Sequence, residues 1–594
     1  MRLRFAAAAA AAAIPLSAAP ARADLALSPA RNTADASPQT QISVLGVAPT
    51  RIVSVRVVGA TSGAHTGRLA PYSGGRGASF VPKTAFTAGE KVAVTLRLRG
   101  RSPIAWSFTV AQPSDKTPPI LTITQTQPDK LQHFVTELGL TPPQITVTRP
   151  NPSLPGSIFV TPLPSPVVHP ESNNAVTISP VGPGGPMILD ARGRVVWFHQ
   201  LDPPNVAANL RFQRYRGKPA LTWWQGPVTA AAYGLGEGVI ADRSYRTIKT
   251  VKAGNGYLMD LHEFSLTPDG DALFPIYQLV SLHVPGTPAG TQTTLMDAIV
   301  QEVDVATGLV VWEWHSLGHV PLGQSYATAG NSAYYDAYHI NSIQSLGGGR
   351  VFVSMRDTCA VYLIDRAGSR IVWRLGGKAS AFKLGSGARF WFQHDAQLHG
   401  NEVTMFDDEA GPPQKAPSSR GLTLRLDFKH RRASVARSLR RADDVSAQSE
   451  GSNEMLSGGQ RFLGFGAQPW FTQFSSTGKV IFDARLPIDD GSYRVYRFPW
   501  TARPVTKPVA AVSGGALYAS WNGATAVARW QALAGADAGA LKPVATAARS
   551  GFETKIPVPS AAVYAVRALD AKGHVLATSA SCQGGCAGAA SRAR

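Results

Sequence analysis

Six segments between residues 187 and 500 repeat one plan: an apolar strand, a polar turn and a second strand running back. They are MILDARGRVVWFHQL, VIADRSYRTIKTVKAG, IVQEVDVATGLVVWEWHSL, VYLIDRAGSRIVWRLGG, LTLRLDFKHRRASVARSL and WFTQFSSTGKVIFDARLP. Several carry an aspartate in the turn and a tryptophan in the return strand. Further hairpins lie between them, including RGKPALTWWQGP and SNEMLSGGQRFLGFG, so each unit holds two hairpins and four antiparallel strands. Four-stranded sheets repeated radially are the blades of a β-propeller, so the pattern predicts an all-β chain with a six-bladed propeller over 187–504. No long segment has the 3.6-residue helical period, and Gly, Pro and β-branched residues are plentiful. The competing arrangement is two or three large β-sandwiches.

The ends read differently. Residues 1–23 have a basic start, an alanine-rich apolar stretch and an Ala21-Arg22-Ala23 ending, the pattern of a secretory signal peptide cut before Asp24. Pro15 and Pro20 interrupt the stretch, which speaks against a transmembrane anchor. An exported protein of the cell envelope or medium is expected, with no integral membrane association. Residues 24–115 alternate β-branched and polar residues between Gly/Ser turns, predicting an Ig-like β-sandwich. Residues 116–186 are proline-rich and read as an extended connector and propeller entry. Short strands over 505–594 predict a domain of the fibronectin type III kind and a loose tail.

The formal net charge is +20, which suits acidic partners, but the basic residues are spread along the chain and no nucleic-acid motif is present. The densest run, KHRRASVARSLRR at 429–441, reads as a solvated hairpin edge. Three cysteines form no disulfide framework; Cys582 and Cys586 could bridge, leaving Cys359 single. Neither a CxxC pair nor HExxH occurs, so no structural or protease-type metal site and no cofactor are expected.

Three histidines share one local setting. His262, His339 and His394 each open a short alternating run followed by a Gly-containing turn and a second apolar run. In a propeller the starts of equivalent first strands face a common axis, so the three imidazoles should converge. Asn341 shares the strand face of His339 by the two-residue period, and Arg356 ends the return strand at the edge where His339 began. Arg356 could instead pair with Asp357 or Asp336, and Asp336, Asp395, Asp407 and Asp408 are either tautomer-fixing partners or turn formers. Imidazoles with an arginine and an asparagine suit sulfuryl or phosphoryl transfer, since arginine presents donors to tetrahedral oxyanions. A three-histidine metal site is the rival, disfavoured by the cationic Arg356.

The stretch DAYHINSIQ…VSMRDTCAVYLIDRAGSRIVWRLGG…FWFQHDAQL…VTMFDDEAG resembles the bacterial PAPS-independent arylsulfotransferases, and LHEFSLTPDGDAL is similar to that family's earlier histidine motif. The resemblance covers 187–500 and implies a six-bladed propeller that passes sulfate between phenols through a sulfohistidine. By that likeness His394 becomes sulfated. His262, His339, Asn341 and Arg356 take the sulfate-binding and acid/base positions, and a small phenolic donor and acceptor are the partners. The terminal domains are closer to the actinobacterial-type branch. No cysteine pair lies between Arg356 and His394, where enterobacterial members carry a disulfide near the site. The alternatives are a non-catalytic propeller that binds envelope polymer or protein, and a quinone- or metal-dependent dehydrogenase.

Overall fold

The computed structural model describes residues 25–123, 128–164, 177–178, 181–284, 292–329, 333–410 and 414–583. The expected signal peptide and Cys586 lie outside them; Cys582 is disulfide-bonded. The described chain is all-β, broken by a few single-turn 3₁₀ segments. None of its helices is long and apolar enough to cross a membrane.

Each of the six repeated segments is an antiparallel hairpin, and each forms the outer half of a sheet. Three of these sheets run in simple chain order: Val206–Tyr215 to Thr247–Val251, Ser265–Leu266 to Val310–His315, and Ile340–Gly347 to Arg370–Gly376. The fifth runs from His394–His399 to Arg432–Leu439, and the sixth from Ser452–Met455 to Val480–Arg485. The first sheet is assembled from both ends of the ring. Tyr496–Phe498 pairs with Ser157–Val160, followed by Met187–Leu189 and Val195–Phe198.

The first strands of successive sheets contact one another around a closed circle. Every neighbouring pair of sheets also encloses its own apolar layer, for example Leu273, Val353 and Ile343 between the third and fourth, and Phe352, Leu375 and Met405 between the fourth and fifth. A layer of Ile158, Phe198, Phe462 and Phe471 joins the first sheet to the sixth. Sheets packed face to face in a circle give a propeller-like body, because each sheet buries both faces against its neighbours.

The ring begins earlier than the sequence pattern indicated. Ser157–Val160 lies in the stretch read as connector and propeller entry, and Thr146–Arg149 adds a fifth strand to the sixth sheet. The surrounding prolines masked these strands, but Ile158, Phe159 and Val160 are fully buried and account for the pairing.

Residues 25–111 form a sandwich of two four-stranded sheets. It docks on the outer edge of the third sheet, where Tyr72 donates to the Val310 carbonyl at 2.9 Å and Arg76 forms a two-armed ion pair with Asp271 at 2.6 Å. Residues 509–583 form a second sandwich, with Val509–Ser513, Ala516–Ser520 and Glu553–Pro557 in one sheet and the remaining strands in the other. Asn522 ties it to Phe198 of the first sheet through both backbone groups.

Candidate active site

His262, His339 and His394 stand at the starts of the first hairpins of the third, fourth and fifth sheets. His394 opens its strand, His339 directly precedes Ile340, and His262 precedes Ser265 by three residues. The backbone is re-aimed at these points. His339 has φ 54, and Phe392 and Asp395 flank His394 with φ 56 and φ 49. Register shifts follow in both strands, between Ile340 and Ser342 and between His394 and Gln397. A bulge beside a functional residue turns its side chain out of the sheet's regular alternation, at a cost in local strain.

The rings converge. His262 and His339 have centroids 4.7 Å apart, and Tyr493 stands between the first and third histidines, 5.3 Å from His262 and 6.4 Å from His394. Tyr277 lies 5.8 Å from both His262 and His339. Arg356 reaches the same place from the return strand, its peptide N–H donating to the His339 carbonyl at 2.9 Å. Its guanidinium donates to Asp357 at 2.6 Å and lies over the Phe392 ring at 4.9 Å. The ion pair with Asp357 that the sequence left open is therefore present, within the site.

Each imidazole has its Nδ1 on a carboxylate: His262 on Asp260 at 2.6 Å, His339 on Asp336 at 2.6 Å and His394 on Asp408 at 2.7 Å. For His394 the other nitrogen decides the tautomer, because the peptide N–H of Glu450 donates to Nε2 at 3.2 Å. Nε2 must then carry the lone pair, and Nδ1–H donates to Asp408. Burial, followed by the charges of Arg356 and His339, holds His394 well below the ordinary imidazole range. Burial pushes the Asp408 carboxyl up against the pull of Arg356, and Oδ2 accepts from Nδ1–H in either protonation state.

The other two rings are pushed apart. Burial holds His262 below its ordinary range despite Asp260. Burial also opposes the charged form of His339, but Asp336 more than offsets it and raises this ring. Two neighbouring imidazoles pushed in opposite directions are suited to exchange protons with a substrate.

Asn341 is fully buried, and its Nδ2 donates to the Gln393 carbonyl at 2.6 Å. It therefore acts on His394 through the preceding peptide. Asn209 does the same for His262: its Nδ2 donates to the Leu261 carbonyl, also 52 residues ahead. Below these clamps, Gln213 and Gln344 each bond both backbone groups of the next sheet's first strand.

The sequence did not reveal several participants. Arg494 is wholly buried, donates to the Asn341 carbonyl at 2.7 Å and pairs with Glu263 at 3.0 Å, and Glu263 also pairs with Arg211. Tyr493 donates to the Asn341 carbonyl at 2.9 Å. Neither Tyr493 nor Arg494 has a local signal, because both arrive from the far end of the ring. Asp260 did have one: an aspartate two or three residues before His262 and before His339. Cys359 is a buried apolar residue, its thiol pushed up to about 12 by burial.

Asp336, His339 and Asp357 have the spacing of a metal-binding group, but Arg356 already stands on Asp357. A fixed cation there repels a metal ion.

Residues 211–486 match the family model described as Arylsulfotransferase (ASST), and that span contains all three histidines, Asn341 and Arg356. No curated protein matches the chain. Among solved structures it is similar to a protein of unknown function from Bacteroides caccae, at 12% identity and TM-score 0.34, over 58% of this chain and 98% of that one. It is also similar to the periplasmic gluconolactonase of Pseudomonas aeruginosa, at 14% identity and TM-score 0.29, over 73% of this chain and 98% of that one. At such scores these likenesses carry no functional argument.

Proposed function

Because residues 211–486 match the arylsulfotransferase family model, we propose that the chain transfers a sulfuryl group between phenols through a sulfohistidine on His394. The observation that carries this is the state of His394: a buried neutral ring with Nδ1–H on Asp408 and an Nε2 lone pair held by the Glu450 N–H, in the electrostatic reach of Arg356 and two more histidines.

In the first half-reaction Nε2 attacks sulfur, the bond from sulfur to the aryl oxygen breaks, and the departing phenoxide takes a proton from His339. The ring gains positive character as the N–S bond forms, and Asp408 serves as its counter-ion, as the aspartate does in a catalytic triad. Arg356 neutralises the sulfuryl oxygens, and the Glu450 N–H, long at 3.2 Å, is available to one of them once sulfur occupies Nε2. In the second half-reaction an acceptor phenol loses its proton to His339, left neutral by the first, and attacks sulfur; the N–S bond breaks, which restores His394 and the protonated His339. Asn341 takes a positioning role. No PAPS, metal or other cofactor enters this scheme.

We read the ring as a six-bladed propeller closed by Tyr496–Phe498, the C-terminal sandwich as fibronectin type III-like, and the protein as exported, with small phenols as donor and acceptor.

Mass spectrometry of the protein after brief exposure to 4-nitrophenyl sulfate tests the proposal. One added sulfo group on His394, released by phenol and missing in His394→Ala, is the expected result. No label and no transfer across a broad phenol panel would leave a binding module instead.

A further inference from the structure

A second cluster of ionisable groups lies away from the histidine site, at the seam between the N-terminal sandwich and the third sheet. A loop of the sandwich brings Asp35 against Asp297, Glu313 and His315, and the four are only 3, 0, 2 and 2% exposed. Asp35 Oδ1 and Asp297 Oδ2 each lie 3.1 Å from Nδ1 of His315, and Glu313 Oε2 lies 3.5 Å from its Nε2.

Hydrogen bonding leaves this cluster unsatisfied. One N–H cannot point at two carboxylate oxygens in good geometry. Both carboxylate oxygens of Asp35, Oε2 of Glu313 and Nε2 of His315 lack a hydrogen-bond partner among the described residues. Apart from His315 itself, the donors that reach the cluster are neutral: the Leu317 peptide on Asp297 at 2.8 Å, and the Gln301 and Asn255 amides on Glu313. Among the described residues no arginine or lysine pairs with these carboxylates, whereas Asp271 on the same seam has Arg76. These carboxylates raise His315 well above its ordinary range, yet one imidazolium balances only one of three, and an uncompensated buried carboxylate carries a desolvation cost of several kcal/mol.

We propose that Asp35, Asp297 and His315 hold a divalent cation that staples the N-terminal sandwich to the third sheet. One donor atom from each of the three lies within 4.8 Å of the others. Ligands on a cation at about 2.0–2.2 Å are spaced by roughly 3.0–3.5 Å, which the two 3.1 Å separations match. With Nδ1 on the cation, Nε2 carries a proton and faces Glu313 Oε2, the carboxylate–histidine–metal relay that orients ligating imidazoles. Mixed carboxylate and imidazole donors suit zinc or manganese.

The test uses the full chain, exchanged into metal-free buffer, with metal content measured by plasma mass spectrometry and ZnCl2, MnCl2 and CaCl2 titrated calorimetrically. The expected result is one cation per chain, with affinity falling about tenfold or more in Asp35→Asn and in His315→Gln and unchanged in His339→Ala. Chelation should also speed proteolytic release of the N-terminal sandwich. Two results overturn the proposal. One is no binding by the wild-type chain up to millimolar cation, which would mean that protons alone neutralise the cluster. The other is binding that survives both seam variants and is lost in His339→Ala, which would move the cation to the histidine site. The wild-type titration needs no variant, so a substitution that fails to fold leaves it decisive.

Discussion

Asp408 Oδ2 stands 2.7 Å from Nδ1 of His394, and this contact spans from the start of one strand to the end of its hairpin partner, 14 residues on. It keeps the ring's proton away from Nε2, the nitrogen that would meet sulfur. It also places a carboxylate where positive charge would develop as the N–S bond forms. Asp408→Asn retains an acceptor of the same shape but no charge. Sulfation of His394 should slow by up to about 10⁴-fold, as when a triad aspartate is replaced by asparagine, read as the single-turnover burst of nitrophenolate. An unchanged burst would remove Asp408 from the mechanism.

Arg356 offers a planar fork, and lysine offers only a point charge. Arg356→Lys should therefore lower kcat by about 10²–10³-fold, the size seen when one oxyanion donor is removed. The effect should fall on kcat more than on KM, because charge on the sulfuryl oxygens is redistributed in the transition state. Steady-state kinetics with 4-nitrophenyl sulfate and phenol separate the two.

His339, raised by Asp336, is the acid in the proposed mechanism, where the deprotonated ring could not protonate a leaving phenoxide. Donor-side turnover should fall as pH rises through its raised pKa. In His339→Gln that limb should vanish, with a far greater loss for phenyl sulfate than for 4-nitrophenyl sulfate, whose leaving group needs no proton. The same pair affects stability. Its contribution is complete below the ordinary imidazole range and is lost as pH climbs through the raised value. The melting temperatures of wild type and His339→Gln should therefore draw together with rising pH.

Asn209 and Asn341 make the same contact two sheets apart, each holding the carbonyl before a histidine. Asn341→Ala should loosen His394 and lower kcat by about tenfold or more with KM nearly constant. Asn209→Ala should act through His262 and leave formation of the sulfo-enzyme less affected. Equal loss of fold stability in both, with no split between half-reactions, would reduce the clamps to packing.

Much of this protein is local in origin and was therefore legible in one dimension. The two-residue period of a strand, turn residues at regular intervals and a histidine opening three of the hairpins are properties of short segments. They located the six outer hairpins, the three rings, and Arg356 at the edge beside His339. What spans sheets was not legible. Ser157–Val160 is a strand because Tyr496–Phe498 returns to it, and nothing near either segment announces the other. Tyr493 and Arg494 enter the site only because that closure carries them there, and Asp35 meets His315 only when one domain docks on another. A strand's alternation depends on its own residues, and the pKa and tautomer of His394 depend on groups brought by distant ones. The amino-acid order thus determined the sheets, the imidazoles that open three of them and the nearby aspartates of His262 and His339; closing the ring decided which distant groups surround those imidazoles, because Arg356 and Glu450 reach His394, and Tyr493 and Arg494 reach Asn341, only across sheets.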